Sequence, residues 1–420
     1  MRPFETHALR PAFVILAATL AAGDPARGAV PAIGPETDNG GLSIEDRERS
    51  WSRDRGLAPE VVAAAPQFVF AQLEESRARH QTPEEWRGRR ARLREEFLRG
   101  AQLWPLPART PLDPIRHSLR RHDGYTVESV AIESMPGFFA TGTLYRPSGV
   151  VARGPAILSP HGHFQPLGRF RAEQQIRAAH LARMGATVLS LGMVGYQDSR
   201  QTAHSDPLVL ALQVWNAIRA TDFLAGLPEV DPARIGATGA SGGGSQALFL
   251  AMLDERIAAV CPVGIVYPWT SPLGCLCESG LPVMEAAGTN AIELAAAVAP
   301  RPQLLISIGG DATRDFPETG FPFIRGVYAL HGRGGAVENV HLPDEFHDYG
   351  PSKRRAVYAF LARHLGLRPR EEDAATIVIE SPGEMDVFGP GHPLPPHALH
   401  GSEAVGRAFR ALARPAEAGR

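Results

Sequence analysis

What this chain has little of narrows its chemistry early. Of 420 residues only three are cysteine, Cys261, Cys275 and Cys277. So small and odd a count builds no disulfide framework. It leaves either one bridge, from Cys261 to one of the closely spaced pair, or three buried thiols. A zinc module, which needs about four ligands in better spacing, is not expected, and no cofactor is implied. Charge imbalance is equally scarce. The formal net charge is −2, so nothing draws the chain to nucleic acid or an anionic membrane. A neutral or lightly charged substrate, a small-molecule or oligosaccharide ester, fits that balance better. Aromatic residues make up 7% of the chain, so composition alone announces no sugar-stacking surface. Long apolar runs are missing too: the run at residues 12–22 is too short to span a bilayer, and no other stretch is long and apolar enough.

That short run has a different reading. Arg2 and Arg10 precede it, and the small residues Ala21 and Gly23 follow it. This is the pattern of a cleavable signal peptide over residues 1–23, implying a secreted or periplasmic protein. Residues 24–46, rich in Gly, Pro and acids, read as a flexible linker. A helical extension is expected over 47–115. Its clearest signal is Thr82-Pro83-Glu84-Glu85, an N-cap with proline at the first helical position and a capping-box glutamate. That helix should stop near Gly100, before the proline-rich run 105–114.

From Tyr125 the pattern changes. Residues 125–133 and 138–145 read as strands joined by the turn Met135-Pro136-Gly137. Short apolar strands at 156–159, 186–191, 234–240, 258–263 and 303–308 then alternate with helical segments. One of those carries Leu208, Leu212, Trp215 and Ile218 at helical spacing. Strands alternating with helices predict an α/β fold, a mostly parallel central sheet covered by helices on both faces, over 116–367. Residues 368–420, with one strand-like run at 376–379, are expected to be an appendage packed on that domain. Nothing in the sequence reports oligomeric state, or whether the early helices form a lid.

Gly239-Ala240-Ser241-Gly242-Gly243 carries the strongest chemical signal. It fits G-x-S-x-G, and it sits where a strand ends and an apolar helix through Leu248, Phe249 and Met252 begins. A serine on so sharp a turn sits in strained backbone, and side chains two positions either side would collide. A hydroxyl needs a base to take its proton. In this arrangement acid and histidine follow the serine in order. Asp311, after the strand 303–308, is the expected acid, with Asp315 its competitor. His347, on a loop ahead of the helix 353–365, is the expected base. The developing oxyanion needs donors: the N–H of Gly242 is one, and that of His163, in Ser159-Pro160-His161-Gly162-His163, the other. A His-x-His metal pair at 161 and 163 is the competing reading. It is set aside because no carboxylate or third histidine lies in good spacing. Tyr267 and Trp269, after the strand ending at Val263, are candidates for stacking on a sugar or for core packing.

Several segments together resemble secreted bacterial α/β-hydrolases of the acetylxylan-esterase-like family. They are Ser159-Pro160-His161-Gly162-His163; Met193-Val194-Gly195-Tyr196-Gln197-Asp198-Ser199; and Val230-Asp231-Pro232-Ala233-Arg234-Ile235-Gly236, leading to Gly239-Ala240-Ser241-Gly242-Gly243-Gly244. Cys275-Leu276-Cys277-Glu278, Ala299-Pro300-Arg301-Pro302, His347-Asp348-Tyr349 and His392-Pro393-Leu394-Pro395 add to the likeness. It implies a Ser241, Asp311, His347 triad and a serine carboxylic ester hydrolase, with a carbohydrate ester of the acetylxylan type as the expected substrate. Where such proteins usually carry aspartate before Met-Val-Gly-Tyr, this chain has Gly192, a departure that bears on substrate preference. Two other readings stay open from the residues: a serine peptidase of the prolyl-oligopeptidase type, and a hydrolase-fold binding protein without turnover.

Overall fold

The computed structural model describes residues 59–149, 153–164, 166–267, 277 and 288–413. The expected leader and linker, Cys275 and Trp269 lie outside them. Among the described residues nine strands form one sheet in the order β1-β2-β3-β5-β4-β6-β7-β8-β9. The strands are β1 (Ile115–His122), β2 (Tyr125–Met135), β3 (Phe138–Pro147), β4 (Gly154–Leu158), β5 (Thr187–Leu191), β6 (Val230–Ala240), β7 (Ile257–Val263), β8 (Gln303–Ile308) and β9 (Val337–Leu342). The first three are an antiparallel meander joined antiparallel to β5, and from β5 to β9 every pairing is parallel.

The two-faced character of the sheet follows from its sequence period. In β4, Ala156 and Leu158 join one core cluster and Ile157 the other. In β8, Leu305 joins the first and Leu304 and Ile306 the second. Strands buried on both faces read as unbroken apolar runs, as parallel strands do. The helices are α1 (Pro59–Arg79), α2 (Pro83–Gly100), α3 (Ala172–Arg183), α4 (Val209–Gly226), α5 (Gly242–Leu253), α6 (Ala291–Ala296), α7 (Phe316–Thr319), α8 (Phe321–Leu330), α9 (Pro351–Leu365), α10 (Pro382–Met385) and α11 (Gly401–Ala413). Apolar residues of α4, α5, α6 and α8 share the first cluster, and those of α3 and α9 the second.

Helix α2 starts and stops where its sequence says. Thr82 Oγ1 accepts the Glu85 N–H, Glu85 returns the bond to the Thr82 N–H, and the helix ends at Gly100. Its apolar side, with Trp86, Leu93 and Phe97, enters the first cluster. Phe97 lies on Phe249 of α5, ring centroids 4.8 Å apart. A buried carboxylate adds to this join: Glu293 on α6 accepts from Arg89, Ser76 and Thr289. Helix α4 is buried nearly all round, well beyond the single face its spacing suggests, because the helices outside it leave little of it exposed.

One expectation needs correction, one open alternative is decided, and one strand appears that the sequence did not suggest. Strand β1, Ile-Arg-His-Ser-Leu-Arg-Arg-His, carries too much charge to be read as a strand, yet it pairs along β2 as an edge with half its residues in solvent. Residues 376–379 are no strand. A 3₁₀ turn closes there, with Ile377 N–H donating to Ala374 O and Thr376 Oγ1 donating to Asp373 O. These bonds satisfy the backbone locally and leave Val378 and Ile379 exposed. Cys261 and Cys277 are both buried, and no disulfide joins them. They belong to the two different core clusters, on opposite faces of the sheet.

Because Phe97 is fully buried against the helix that begins at residue 242, Phe97→Ala should cost about 3–5 kcal/mol of unfolding free energy. Urea denaturation checks this; a loss below 1 kcal/mol, by the same scale, would mean the helical extension does not share the core.

Candidate active site

Strand β6 ends at Ala240 and α5 begins at Gly242, so Ser241 alone makes the turn. Its φ of 56° and ψ of −132° are strained for a residue with a side chain. Three constraints hold it there. The Ser241 N–H donates to Val263 O of β7 at 3.1 Å, and the Ser245 N–H to Ser241 O at 3.0 Å. Gly239 and Gly243 face each other across the turn, where a Cβ on Gly239 would strike Gly243. The loop after β4 closes from above. A Cβ on Gly162 would stand 2.6 Å from Ala240 O and 3.0 Å from Ser241 Cβ, so only glycine lets that loop lie on the serine.

The acid and the histidine reach the same edge of the sheet by a second set of close approaches. Gly309 and Gly310 follow β8, and their N–H groups donate to Leu342 O and Glu345 O. A side chain at either would collide with the 343–346 segment. This lays the loop after β9 against the end of β8, and His347 Nδ1 meets Asp311 Oδ2 at 2.8 Å. Gly264, immediately after β7, links this pair to the serine turn. A Cβ there would be 3.0 Å from Asp311 Oδ2 and 3.2 Å from His347 Cε1, while its neighbour Val263 holds the Ser241 amide. The loop around His347 is clamped on both sides: Lys353, buried on α9, bonds Glu345 at 2.7 Å and Asp348 at 2.6 Å. Tyr349 is buried beneath it, with its hydroxyl on Thr238 Oγ1 of β6 at 2.6 Å.

Asp311 has little solvent contact. Burial pushes its carboxyl up, but hydrogen bonds from His347 and from the Thr313 hydroxyl and amide outweigh this and hold it below the usual carboxylate range. Asp315 begins α7 with a side chain 71% exposed and an ion-pair contact to Arg314. It is Asp311 that meets the imidazole.

The two histidines of the 159–163 segment part company. Met193 N–H donates to His161 Nε2 at 3.1 Å, so Nδ1 carries the hydrogen and donates to Gly162 O at 2.7 Å. Burial lowers the His161 pKa from 6.5 to about 3. His163 turns the other way, toward His204 and Cys277. Spacing takes in only residues near in sequence, whereas these neighbours come from 41 and 114 residues away. Tyr267 follows β7 half-buried. Gly192 donates its N–H to Thr141 O, and a Cβ there would come 2.7 Å from Thr141 Oγ1, so this chain has no room for a side chain at that position. The nearby cation, Arg169, is paired instead with buried Asp198.

A mostly parallel sheet, helices on both faces and a serine on a strained strand-to-helix turn define an α/β-hydrolase. The family description "Acetyl xylan esterase (AXE1)" matches residues 209–274, a stretch that includes Ser241. Among solved structures, Methylesterase BT1017 is 35% identical over 82% of this chain and 80% of its own, with a TM-score of 0.76. A Bacteroides fragilis protein, named as a candidate acetyl xylan esterase, has a TM-score of 0.52 at 17% identity, covering 80% of this chain and 90% of its own. At that identity the likeness is one of fold. The Bacillus subtilis (strain 168) protein YtaP, whose name says no more than hydrolase, is 26% identical over 40% of this chain; the match spans 62% of that relative's length. The chain belongs to the same family of α/β-hydrolases as Methylesterase BT1017 and is similar to acetyl xylan esterases over residues 209–274.

His161 makes the site acid-sensitive. Its folded pKa lies below its ordinary value, so its contribution to stability is present above pH 6.5 and is lost as pH falls toward 3. In that window unfolding free energy should drop with a slope approaching 1.4 kcal/mol per pH unit, roughly one proton. In a His161→Asn variant the slope should be shallower by that amount in chemical denaturation. Parallel curves for the two proteins would refute the assignment.

Proposed function

We propose that this chain is a serine carboxylic ester hydrolase acting through an acyl-enzyme, with Ser241 as nucleophile, His347 as general base and Asp311 as its orienting acid. The observation that carries this reading is the 2.8 Å Asp311–His347 bond, set beside a serine forced into strained backbone at the same sheet edge. In this reading Ser241 Oγ attacks the ester carbonyl as His347 Nε2 takes its proton. Asp311 accepts from His347 Nδ1–H, fixes the tautomer and stabilises the imidazolium that forms. The oxyanion is held by the N–H groups of Gly242 and His163. The first sits at the start of a twelve-residue helix, where the partial positive end favours developing negative charge. His347 then returns the proton to the departing alcohol, and water repeats the sequence on the acyl-enzyme.

The substrate we propose is a carbohydrate-borne ester small at one end, with Tyr267 and Trp269 as candidate sugar contacts. Two forms are favoured by different observations. The family match favours acetyl removed from a sugar hydroxyl. The 35% identical methylesterase favours methanol released from a sugar carboxylate. Acetylated xylan and methyl-esterified pectin, assayed for acetate and methanol with p-nitrophenyl acetate as control, separate them. Whichever product appears, Ser241→Ala should remove it, and Asp311→Asn should lower turnover by about four orders of magnitude. Full activity in a folded Ser241→Ala protein would end the proposal; so would failure of the wild type on all three esters.

Polymeric substrates of this kind lie outside the cell, which agrees with the basic start and short apolar run of residues 1–23 as an export leader. Expression in a bacterial host should yield chains beginning after residue 21 or 23 in the periplasm or medium, read by intact mass. An uncleaved chain kept in the cytoplasm would contradict export.

A further inference from the structure

The corner where His163, His204 and Cys277 meet belongs neither to the serine turn nor to the histidine–acid pair. His163 Nε2 stands 3.0 Å from His204 Nε2 and 3.0 Å from Cys277 Sγ. The three ligand atoms all lie within 4.8 Å of one another. They arrive from three parts of the chain: the loop after β4, the loop after β5, and a residue whose carbonyl accepts from Gln213 of α4 at 3.2 Å. We propose that these three side chains form a binding site for a divalent metal ion of the zinc class, with a fourth position for water.

Three features carry the proposal. The first is the tautomer. His204 Nδ1–H donates to Val194 O at 2.7 Å, which leaves Nε2 as the ring nitrogen facing His163. A ring hydrogen bonded to a carbonyl in this way is the usual support of a metal-bound histidine. The second is the count of hydrogens. A hydrogen on His163 Nε2 can point at the His204 nitrogen or at the Cys277 sulfur but not squarely at both, and the thiol hydrogen can point at His163 Nε2 only when that nitrogen carries none. One cation satisfies all three atoms at once. The third is chemistry and size. Two imidazoles and a thiolate suit a borderline-soft ion, whose bonds of about 2.0–2.1 Å to nitrogen and about 2.3 Å to sulfur span such a triangle after only a small opening.

The surroundings are built to hold these side chains. A Cβ on Gly195 (φ 83°) would collide with the His204 backbone, so the glycine is what lets the two strands of that loop touch. Tyr196 packs edge-on against both rings, with centroids 6.0 Å from His163 and 4.8 Å from His204. Cys277 is fully buried. An ion here would tie the His163 loop to two other segments one residue from Gly162, which touches Ser241. Its role would be to fix that loop. The proposal does not depend on the esterase reading: metal binding can be measured whether or not any ester turns over.

The test uses the full chain, stripped of metal by a chelator and dialysed. Zn(II) titration followed by calorimetry should give one equivalent per chain, with proton release as the thiol ionises. Replacing Zn(II) by Co(II) should produce a thiolate-to-cobalt charge-transfer band. His204→Gln should weaken Zn(II) binding by more than about a hundredfold, beyond what loss of a mere supporting partner costs. Cys277→Ser should abolish the charge-transfer band. Binding that is substoichiometric in the folded wild type, or unchanged in both variants, overturns the site. Should either variant fail to fold, the wild-type cobalt spectrum decides: a thiolate band supports the site and its absence refutes it.

Discussion

Close backbone approach at one sheet edge is the constraint on which the site depends. Ser241 is held at positive φ because β6 ends against the first turn of α5, and that turn in turn lies under the loop after β4. Glycines at 162, 239 and 243 are the residues that permit this, each at a place where even a methyl group would strike backbone. The same device recurs after β8, where Gly309 and Gly310 admit the loop that carries His347. The chemistry is therefore placed by what is missing from these positions, and the strain on Ser241 is sustained by a core that packs against it from both faces of the sheet.

Around that edge, polar groups fix the loops that glycine lets in. Lys353 reaches from α9 to grip Glu345 and Asp348 on either side of His347, and Tyr349 anchors the same loop to Thr238 of β6. Asp311 is locked by Thr313, whose hydroxyl also accepts from the Ile308 amide at the end of β8. A side chain on a loop is only as well placed as its supports. Here each candidate group is tied to at least one regular element.

The sequence made the serine turn, the strand alternation and the order serine, acid, histidine legible, because each is a local pattern: a motif, a period, a position after a strand. Between Asp311 and Asp315 it favoured the first on strand-end placement alone, and the bond to His347 and the exposure of its rival are what distinguish them. It missed what depends on distant partners. His204 carries no local mark that it will meet His163. Cys261 and Cys277 look like a possible pair until the sheet separates them. Strand β1 was hidden by its own charges, and the apolar run at 376–379 mimics a strand whose backbone in fact bonds to itself.

That charged first strand has a consequence for how the protein is made. It lies at an open edge of the sheet, the kind of surface that can recruit a strand from another molecule. Its arginines discourage such pairing, and the end of the chain guards it: Glu380 binds Arg120 and His122, and Val387 O takes a bond from His117. These guards are synthesised more than 250 residues after the strand they cover. During synthesis the edge therefore waits for residues 380–387 to emerge, and until then its own positive charge helps to keep neighbouring nascent chains apart.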